Sequence, residues 1–510
     1  MNVGGPVDLS PIIDKVGNIL ILSQLGVETG SALADLLLGK TSPSGKLTTT
    51  WARFEDYPMI GDFGDLNETR YKEGIYVGYR YFDSAGIVPL FPFGFGLSYT
   101  SFEISGENTE LDGETVIVTA TVKNTGAFSG KETLQLYVSK PEVKLDQPFQ
   151  ILAGFAKSRE LVPGEEDSVT IKVRFSDLAS YDSSRECWVL EKGDYFLRLG
   201  TSSADTRPVV RLRLEEELVT SQVKNVCGVT DFSDWKPTLE RIDLFLPDVP
   251  ILTVDPGAIP VRTVHEAAST EIDEVAAEMS AEQLIQMSLG AYDPRNRFGA
   301  VIGRAGFSVA GAAGETSRVS AEYGLKPLVM ADGPAGLRLS RDYIMEDKGP
   351  VPIGQSSLES VEELMPKPAQ WLIGKLKKKP DSKAEIMHQY ATAIPIGTAI
   401  AQSWNTELAQ MCGDIIGEEM ERLNVDLWLA PALNIHRSIL CGRNFEYYSE
   451  DPLVSGIFAA AITRGVQAHN GKGTTIKHYA ANNQEYNRYN SNSMFSERAM
   501  REIYQKGYEI

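Results

Sequence analysis

Residues 473–485 read GTTIKHYAANNQE. Thr474, Thr475 and Ile476 form a β-branched run suited to a buried strand, and from Lys477 and His478 onward nearly every residue carries a hydrogen-bonding group. In α/β folds the loops at the C-terminal ends of parallel strands hold the ligand contacts. The segment therefore reads as a scaffold strand whose continuation lines a pocket.

The same grammar recurs upstream. PLVMADG (327–333), ATAIPIG (391–397) and NVDLWLAP (424–431) read as three further strands. Between them a helix is expected after Asn405 as N-cap, with Leu408, Met411, Cys412, Ile415 and Ile416 on one face. A second helix should turn Val454, Ile457, Phe458, Ala461 and Ile462 inward. Strands alternating with helices predict a parallel sheet, and residues 270–510 read as the first half of a (β/α)8 barrel. The stretch 341–390 reads as an insertion.

Upstream of residue 270 the pattern changes twice. In 101–218 the period is two: Val169, Ile171, Val173 and Phe175 alternate with Thr170, Lys172 and Arg174, and VIVTATV, TLQLYV and DYFLRL behave alike. About seven short strands in this length predict a fibronectin type III-like β-sandwich. Residues 219–269 are Pro-rich and acidic and read as a linker draped over a surface. In 1–100, NILILSQLG (18–26) reads as a buried strand and SALADLLLG (31–39) as a helix with Ala32, Leu33, Leu36 and Leu37 on one face, the C-terminal part of an α/β sandwich domain that something should precede. The expected fold class is multidomain α/β plus all-β.

Composition bounds the function. The 510 residues are 42% hydrophobic and 23% charged, enough for sizeable cores, and the net charge of −20 opposes the basic surface that nucleic acid requires. The one basic run, KLKKK at 375–379, reads as a solvated loop. Cys187, Cys227, Cys412 and Cys441 lack metal-ligand spacing and read as free thiols of a reducing compartment. No apolar stretch is long enough to span a bilayer, and MNVGGPVDLS lacks signal-peptide character, so a cytoplasmic location is expected.

The predicted strand ends carry Asp332; then Asn434, His436, Arg437, Arg443 and Glu446; then Lys477 and His478. An acceptor carboxylate, charged donors and an imidazole can bracket adjacent hydroxyls, and Trp404, Phe445, Tyr447, Tyr448 and Tyr479 offer apolar faces for a sugar ring. A pyranose fits this set. A metal does not, since His436 and His478 have no paired ligand at helical spacing. His436 alone also reads as a hydrogen-bonded structural histidine, and Tyr447 and Tyr448 as cover for the barrel rim.

Taken together, MADGPAGLRL (330–339), LAPALNIHRSILCGRNFEYYSEDP (429–452) and IKHYAANNQE (476–485) resemble the catalytic barrel of glycoside hydrolase family 3, β-glucosidase branch. LADLLLGKTSPSGKLTTTW (33–51) and PLFPFGFGLSYTSF (89–102) are similar to the end of that family's α/β domain and its passage into the fibronectin-like domain, here in permuted order with the barrel last. The resemblance implies that Asp332, Arg443, Lys477 and His478 hold the sugar, that the reaction is retaining hydrolysis of β-glucosides from the non-reducing end, and that no cofactor is needed. The expected partner is a small glucoside or oligosaccharide, with no nucleic acid, no membrane and possible homo-oligomers. Retention needs two carboxyl groups about 5–5.5 Å apart. By the resemblance both belong to segments outside this chain, which then reads as a fragment, the alternative function being a catalytically inactive sugar binder. Ser233, Asp234 and Trp235 spell the family's nucleophile motif, but their polar linker context marks Asp234 as a decoy, and Glu28 reads as structural.

Overall fold

Seven long strands build the sandwich. Phe102–Asp112, Thr115–Asn124 and Glu166–Arg174 form one antiparallel sheet; Ile151–Lys157, Thr133–Ser139, Gly193–Ser202 and Asp205–Leu214 form the other, in that order. The structure, a computed structural model, describes residues 1–58, 63–238, 248–263, 274–291, 307–347, 349–353, 366–368, 370–371 and 384–510. Alternation decides the packing: Val169, Ile171 and Val173 point inward and meet Val116, Val118, Leu134, Leu136, Leu197 and Leu212 in one apolar core.

The segment expected to be a draped linker takes part in the sheets. Leu218–Gln222 pairs antiparallel with Cys187–Leu190, Ile251–Thr253 adds a parallel edge to Asp205–Leu214, and Arg262–Thr263 pairs with Leu218–Gln222. Short pieces of strand without a repeating pattern left no periodic signal in the sequence, yet each satisfies the open hydrogen-bonding edge of a neighbour. KLKKK at 375–379 lies outside the described residues.

In the barrel region Val329–Ala331, Leu427–Trp428 and Gly473–Thr474 are neighbouring parallel strands, with Gly314–Glu315 antiparallel at one edge. The helix Thr406–Arg422 begins where Asn405 accepts hydrogen bonds from the amides of Glu407 and Leu408 at 3.0 and 3.2 Å. The helix Pro452–Gln467 is capped in the same way by Asp451. The two helices pack side by side so closely that a Cβ at Gly413 would lie 2.1 Å from the Ile462 carbonyl oxygen, and one at Gly465 2.1 Å from that of Gln410. That approach rotates the first helix from its expected face: Ala409, Cys412, Ile416 and Met420 are buried, whereas Leu408, Met411 and Ile415 remain exposed. In the second, Val454, Phe458, Ala461 and Ile462 point inward as expected, and Ile457 is half-buried.

Two expected strands are extended chain without a ladder. ATAIPIG spends its hydrogen bonds on a loop and on the end of NILILSQLG: Ile394 N donates to Ala335 O, Ile396 N to Gln24 O, and Ala393 O accepts from Val27 N. NILILSQLG touches residue 1 through Leu22 N to Met1 O and packs Ile19 and Ile21 beside Leu9, Leu47 and Trp51. The helix Thr29–Leu37 forms as expected, but none of its side chains is buried among the described residues, and Leu37 is exposed.

The regions do not sit apart. One core gathers Tyr79 and Phe93 from the first hundred residues, Tyr137 and Leu152 from the sandwich, and Ile400, Trp404, Ile416, Trp428, Phe458 and Ile462 from the barrel. Strand Glu68–Arg70 pairs in parallel with Asn492–Met494, so chain segments distant in sequence close over the same face.

Candidate functional site

Parallel pairing delivers the strand ends to one place. Beyond Leu427–Trp428 and Gly473–Thr474 the two chains stay together: Lys477 N donates to Pro431 O at 3.0 Å, and Leu433 N donates to Lys477 O at 2.8 Å. On the other side, Asp332 follows Val329–Ala331 directly. Its loop is folded back by Gly333 and Gly336, whose φ values of +111° and +127° suit glycine alone, and is held by the Trp428 indole N–H donating to Gly333 O at 3.0 Å.

At this convergence the Lys477 ammonium donates to Asp332 Oδ1 at 2.6 Å. Arg338 pairs with the other carboxylate oxygen. Burial pushes the Asp332 carboxyl upward, but the hydrogen bond and charge of Lys477 outweigh it and hold the group below the ordinary carboxylate range. Asp332 is thus a fixed anion, able to accept from hydroxyls.

His478 is locked from both sides. Its backbone N–H and Nδ1 both reach Asn434 Oδ1 at 2.9 Å, while Arg443 Nη2 donates to Nε2 at 2.7 Å. An arginine cannot accept, so Nε2 is the bare nitrogen and Nδ1 carries the proton. Burial, then the charges of Arg443 and Lys477, depress the imidazole to about 3, which keeps it neutral through the physiological range. Arg443 is itself clamped: Nε pairs with Glu446, and Nη1 stands 3.7 Å from Glu485 Oε1, which also accepts from Asn482 Nδ2 at 2.9 Å.

The four residues singled out from the sequence therefore form one continuous network, Asp332–Lys477 and His478–Arg443, joined by the Lys477–His478 peptide. Asn434 and Glu446 join it as well. Arg338 and Arg488 were missed; the signal available was their spacing, six residues after Asp332 and three after Glu485.

Other candidates fall elsewhere. His436 is wholly buried, its Nδ1 accepting from Thr49 Oγ1 at 2.6 Å and its Nε2 donating to Asn444 O at 2.9 Å, and burial lowers it to about 4. It ties the first hundred residues to the barrel. Arg437 turns away from the cluster to pair with buried Glu73 and lies 3.9 Å over the Tyr71 ring. Trp404 and Tyr448 are core residues with no open face, against the expectation of sugar-stacking rings. Tyr447 is buried, its ring in a T-shaped contact with that of His478, while Phe445 and Tyr479 are exposed. Asp234 touches none of the four: it accepts from Ser496 Oγ at 2.6 Å beside Gly74, and the adjacent Trp235 packs edge-on to Tyr76 and Tyr81. Among the described residues no cluster of three or more His, Cys, Asp or Glu side chains is arranged to hold a metal ion. No described helix is long and apolar enough to cross a membrane.

Sequence profiles of known families match along the chain in the order of its architecture. Residues 1–99 match the glycosyl hydrolase family 3 C-terminal domain, 132–203 a fibronectin type III-like domain, and 382–509 the glycosyl hydrolase family 3 N-terminal domain. Both ends of the chain match domains of glycoside hydrolase family 3. Their order is permuted, C-terminal domain first. The chain is 34% identical over 582 residues to beta-glucosidase A of Butyrivibrio fibrisolvens, with 100% of the chain and 62% of the relative covered. It is 34% identical over 538 residues to a beta-glucosidase of Ruminococcus albus, covering 100% and 50%. The crystal structure of a beta-glucosidase from Paenibacillus barengoltzii superposes on it with a TM-score of 0.78 at 33% identity, covering 100% of this chain and 54% of that one. The chain thus spans between half and about three fifths of the length of these relatives.

Proposed function

We propose that Asp332, Lys477, Arg443 and His478 hold the terminal glucosyl unit of a β-glucoside, and that the chain serves retaining hydrolysis of such glucosides from the non-reducing end. The observation that carries this reading is the single charge-assisted network these groups form at the ends of parallel strands in a family 3 barrel. Asp332 accepts from sugar hydroxyls, and Lys477 and Arg443 donate. His478, with both ring nitrogens engaged by Asn434 and Arg443, fixes the guanidinium in place.

Retention proceeds through a nucleophilic carboxylate and an acid/base carboxyl. Asp332, Glu446 and Glu485 are each committed to a cation, which suits binding and opposes proton transfer or attack. We therefore assign the reacting pair to carboxylates other than these and other than Asp234. The same commitment favours a second reading, a sugar binder without turnover. The four unpaired cysteine thiols support a reducing, cytoplasmic setting.

Calorimetric titration of the purified chain with glucose decides between binding and no binding. Glucose binding is expected, weakened about tenfold or more in Lys477→Ala, because a hydrogen bond to a charged group contributes about 1.5–3 kcal/mol. Absence of binding by the parent chain refutes the reading. Turnover of a nitrophenyl β-glucoside separates the hydrolase from the binder, and its loss in Asp234→Asn would overturn the exclusion of Asp234.

A further inference from the structure

Exposure rises steadily along one line of contacts that starts in the sugar cluster. Lys477 and Asp332 side chains are 16% and 18% exposed, Arg443 20%, Glu485 27% and Arg488 35%, and Tyr489 stands 86% exposed at the end. Arg443 joins the line through His478 Nε2, and from there each step is a direct contact: Arg443 to Glu485, Glu485 Oε2 to Arg488 Nη1 at 3.0 Å, and the Arg488 guanidinium 5.0 Å from the Tyr489 ring centroid. Arg488 Nη2 also donates to the Tyr489 hydroxyl at 3.3 Å.

An exposed tyrosine on a loose loop needs no explanation. This loop is pinned. Asn490 and Ser491 amides both donate to Asn487 O at 2.9 Å, the Asn487 side-chain amide donates to Leu66 O at 2.5 Å, and Asn492 N donates to Asn67 O at 2.7 Å as the strand Asn492–Met494 pairs with Glu68–Arg70. Tyr486, also exposed, rests near Gly64 on the same rim. A ring whose backbone and one face are already fixed loses little entropy when a second flat group stacks on it.

We propose that Tyr489, backed by Arg488, is a specificity-determining platform for the aglycone, favouring glucosides whose leaving group is aromatic. The inference rests on the glucosyl-binding reading above, since a glucosyl unit seated among the buried groups must extend its leaving group toward the exposed end. The pairing Arg443–Glu485–Arg488 sets the distance between sugar cluster and platform.

The test is calorimetric titration of the chain with two non-reacting probes, methyl and phenyl 1-thio-β-glucoside. The parent is expected to bind the phenyl probe about fivefold to tenfold more tightly, the size of an aromatic stacking contact. In Tyr489→Ala that ratio is expected to fall to about one, and in Tyr489→Phe to persist, while Lys477→Ala weakens both probes together. A parent ratio near one, or a ratio that survives Tyr489→Ala, overturns the platform and leaves the glucosyl site standing. Failure of the parent to bind either probe removes the glucosyl reading and the platform with it.

Discussion

Replacing Arg437 with Met removes a charge while keeping the length of the side chain, at a position the sequence placed among pocket residues and the structure places in a seam. The guanidinium and its partner Glu73 are only 3% and 2% exposed. Arg437 Nη2 lies 2.9 Å from Glu73 Oε2 and donates to Arg70 O at 3.1 Å, and Tyr504 donates to Glu73 Oε1 at 3.4 Å. Breaking a buried pair from one side costs about 3–5 kcal/mol, because the remaining carboxylate is stranded without a counter-charge. Loss of the contact with the Tyr71 ring adds about 1 kcal/mol, which the methionine's own packing partly returns. The expected loss is therefore about 3–5 kcal/mol. Removing both charges in Arg437→Met with Glu73→Leu strands nothing and should cost less than about 2 kcal/mol, so the double variant is the more stable one. Urea unfolding followed by tryptophan fluorescence reads the shared core through Trp404 and Trp428, both buried in it. A single variant within about 1 kcal/mol of the parent, or a double variant less stable than the single, would show that the pair is no charge lock and refute the argument.

Asp451→Ala removes the cap of Pro452–Gln467 and the buried partner of Arg80 and the Tyr79 hydroxyl together, and should cost at least about 3 kcal/mol by the same urea assay; a loss under 1 kcal/mol contradicts the assignment. His478 titrates near 3 when folded against about 6.5 unfolded, so the unfolded chain binds more protons between those values and stability should fall as pH drops from 6.5 toward 3. His478→Gln should flatten that acid-side slope in urea midpoints taken at several pH values, and an unchanged slope counts against it. Asp83 acts in the opposite sense: burial pushes it up to about 7, so its contribution is fully present below about 4 and is lost as pH rises through 7, and Asp83→Asn should remove that decline in the same measurements. Asp234→Asn should leave the glucose dissociation constant within twofold of the parent, and a tenfold weakening would place Asp234 at the sugar.

Much of the architecture was legible because its causes are local. The alternation in Glu166–Arg174 marks a half-buried strand wherever that strand is placed, and Asn405 announces a helix start through bonds to the amides two and three residues on. The motifs ending in Asp332, Arg443 and Lys477–His478 could be placed together because parallel strands share one C-terminal face. Errors arose where periodic composition lacked a partner. NILILSQLG and ATAIPIG have the residues of strands, but a strand exists only when a neighbour completes its ladder, and their hydrogen bonds go to Met1, to the loop at Ala335 and, through Ile396 N to Gln24 O, to each other without building a ladder. The short strands of the supposed linker failed the other way, having neighbours but no period.

By itself, the sequence determined the kind of chemistry available: which residues end strands, which cap helices, and which cation stands beside the imidazole at 477 and 478. Tertiary structure alone decided which of the polar groups around LWLAPALNIHR face the cluster of Asp332, Lys477, His478 and Arg443. His436 meets Thr49 and Arg437 meets Glu73, partners 387 and 364 residues away, whereas Asn434 meets His478 across neighbouring strand ends. A buried polar side chain must find a partner wherever folding brings one, and nothing within a few residues of it specifies that choice.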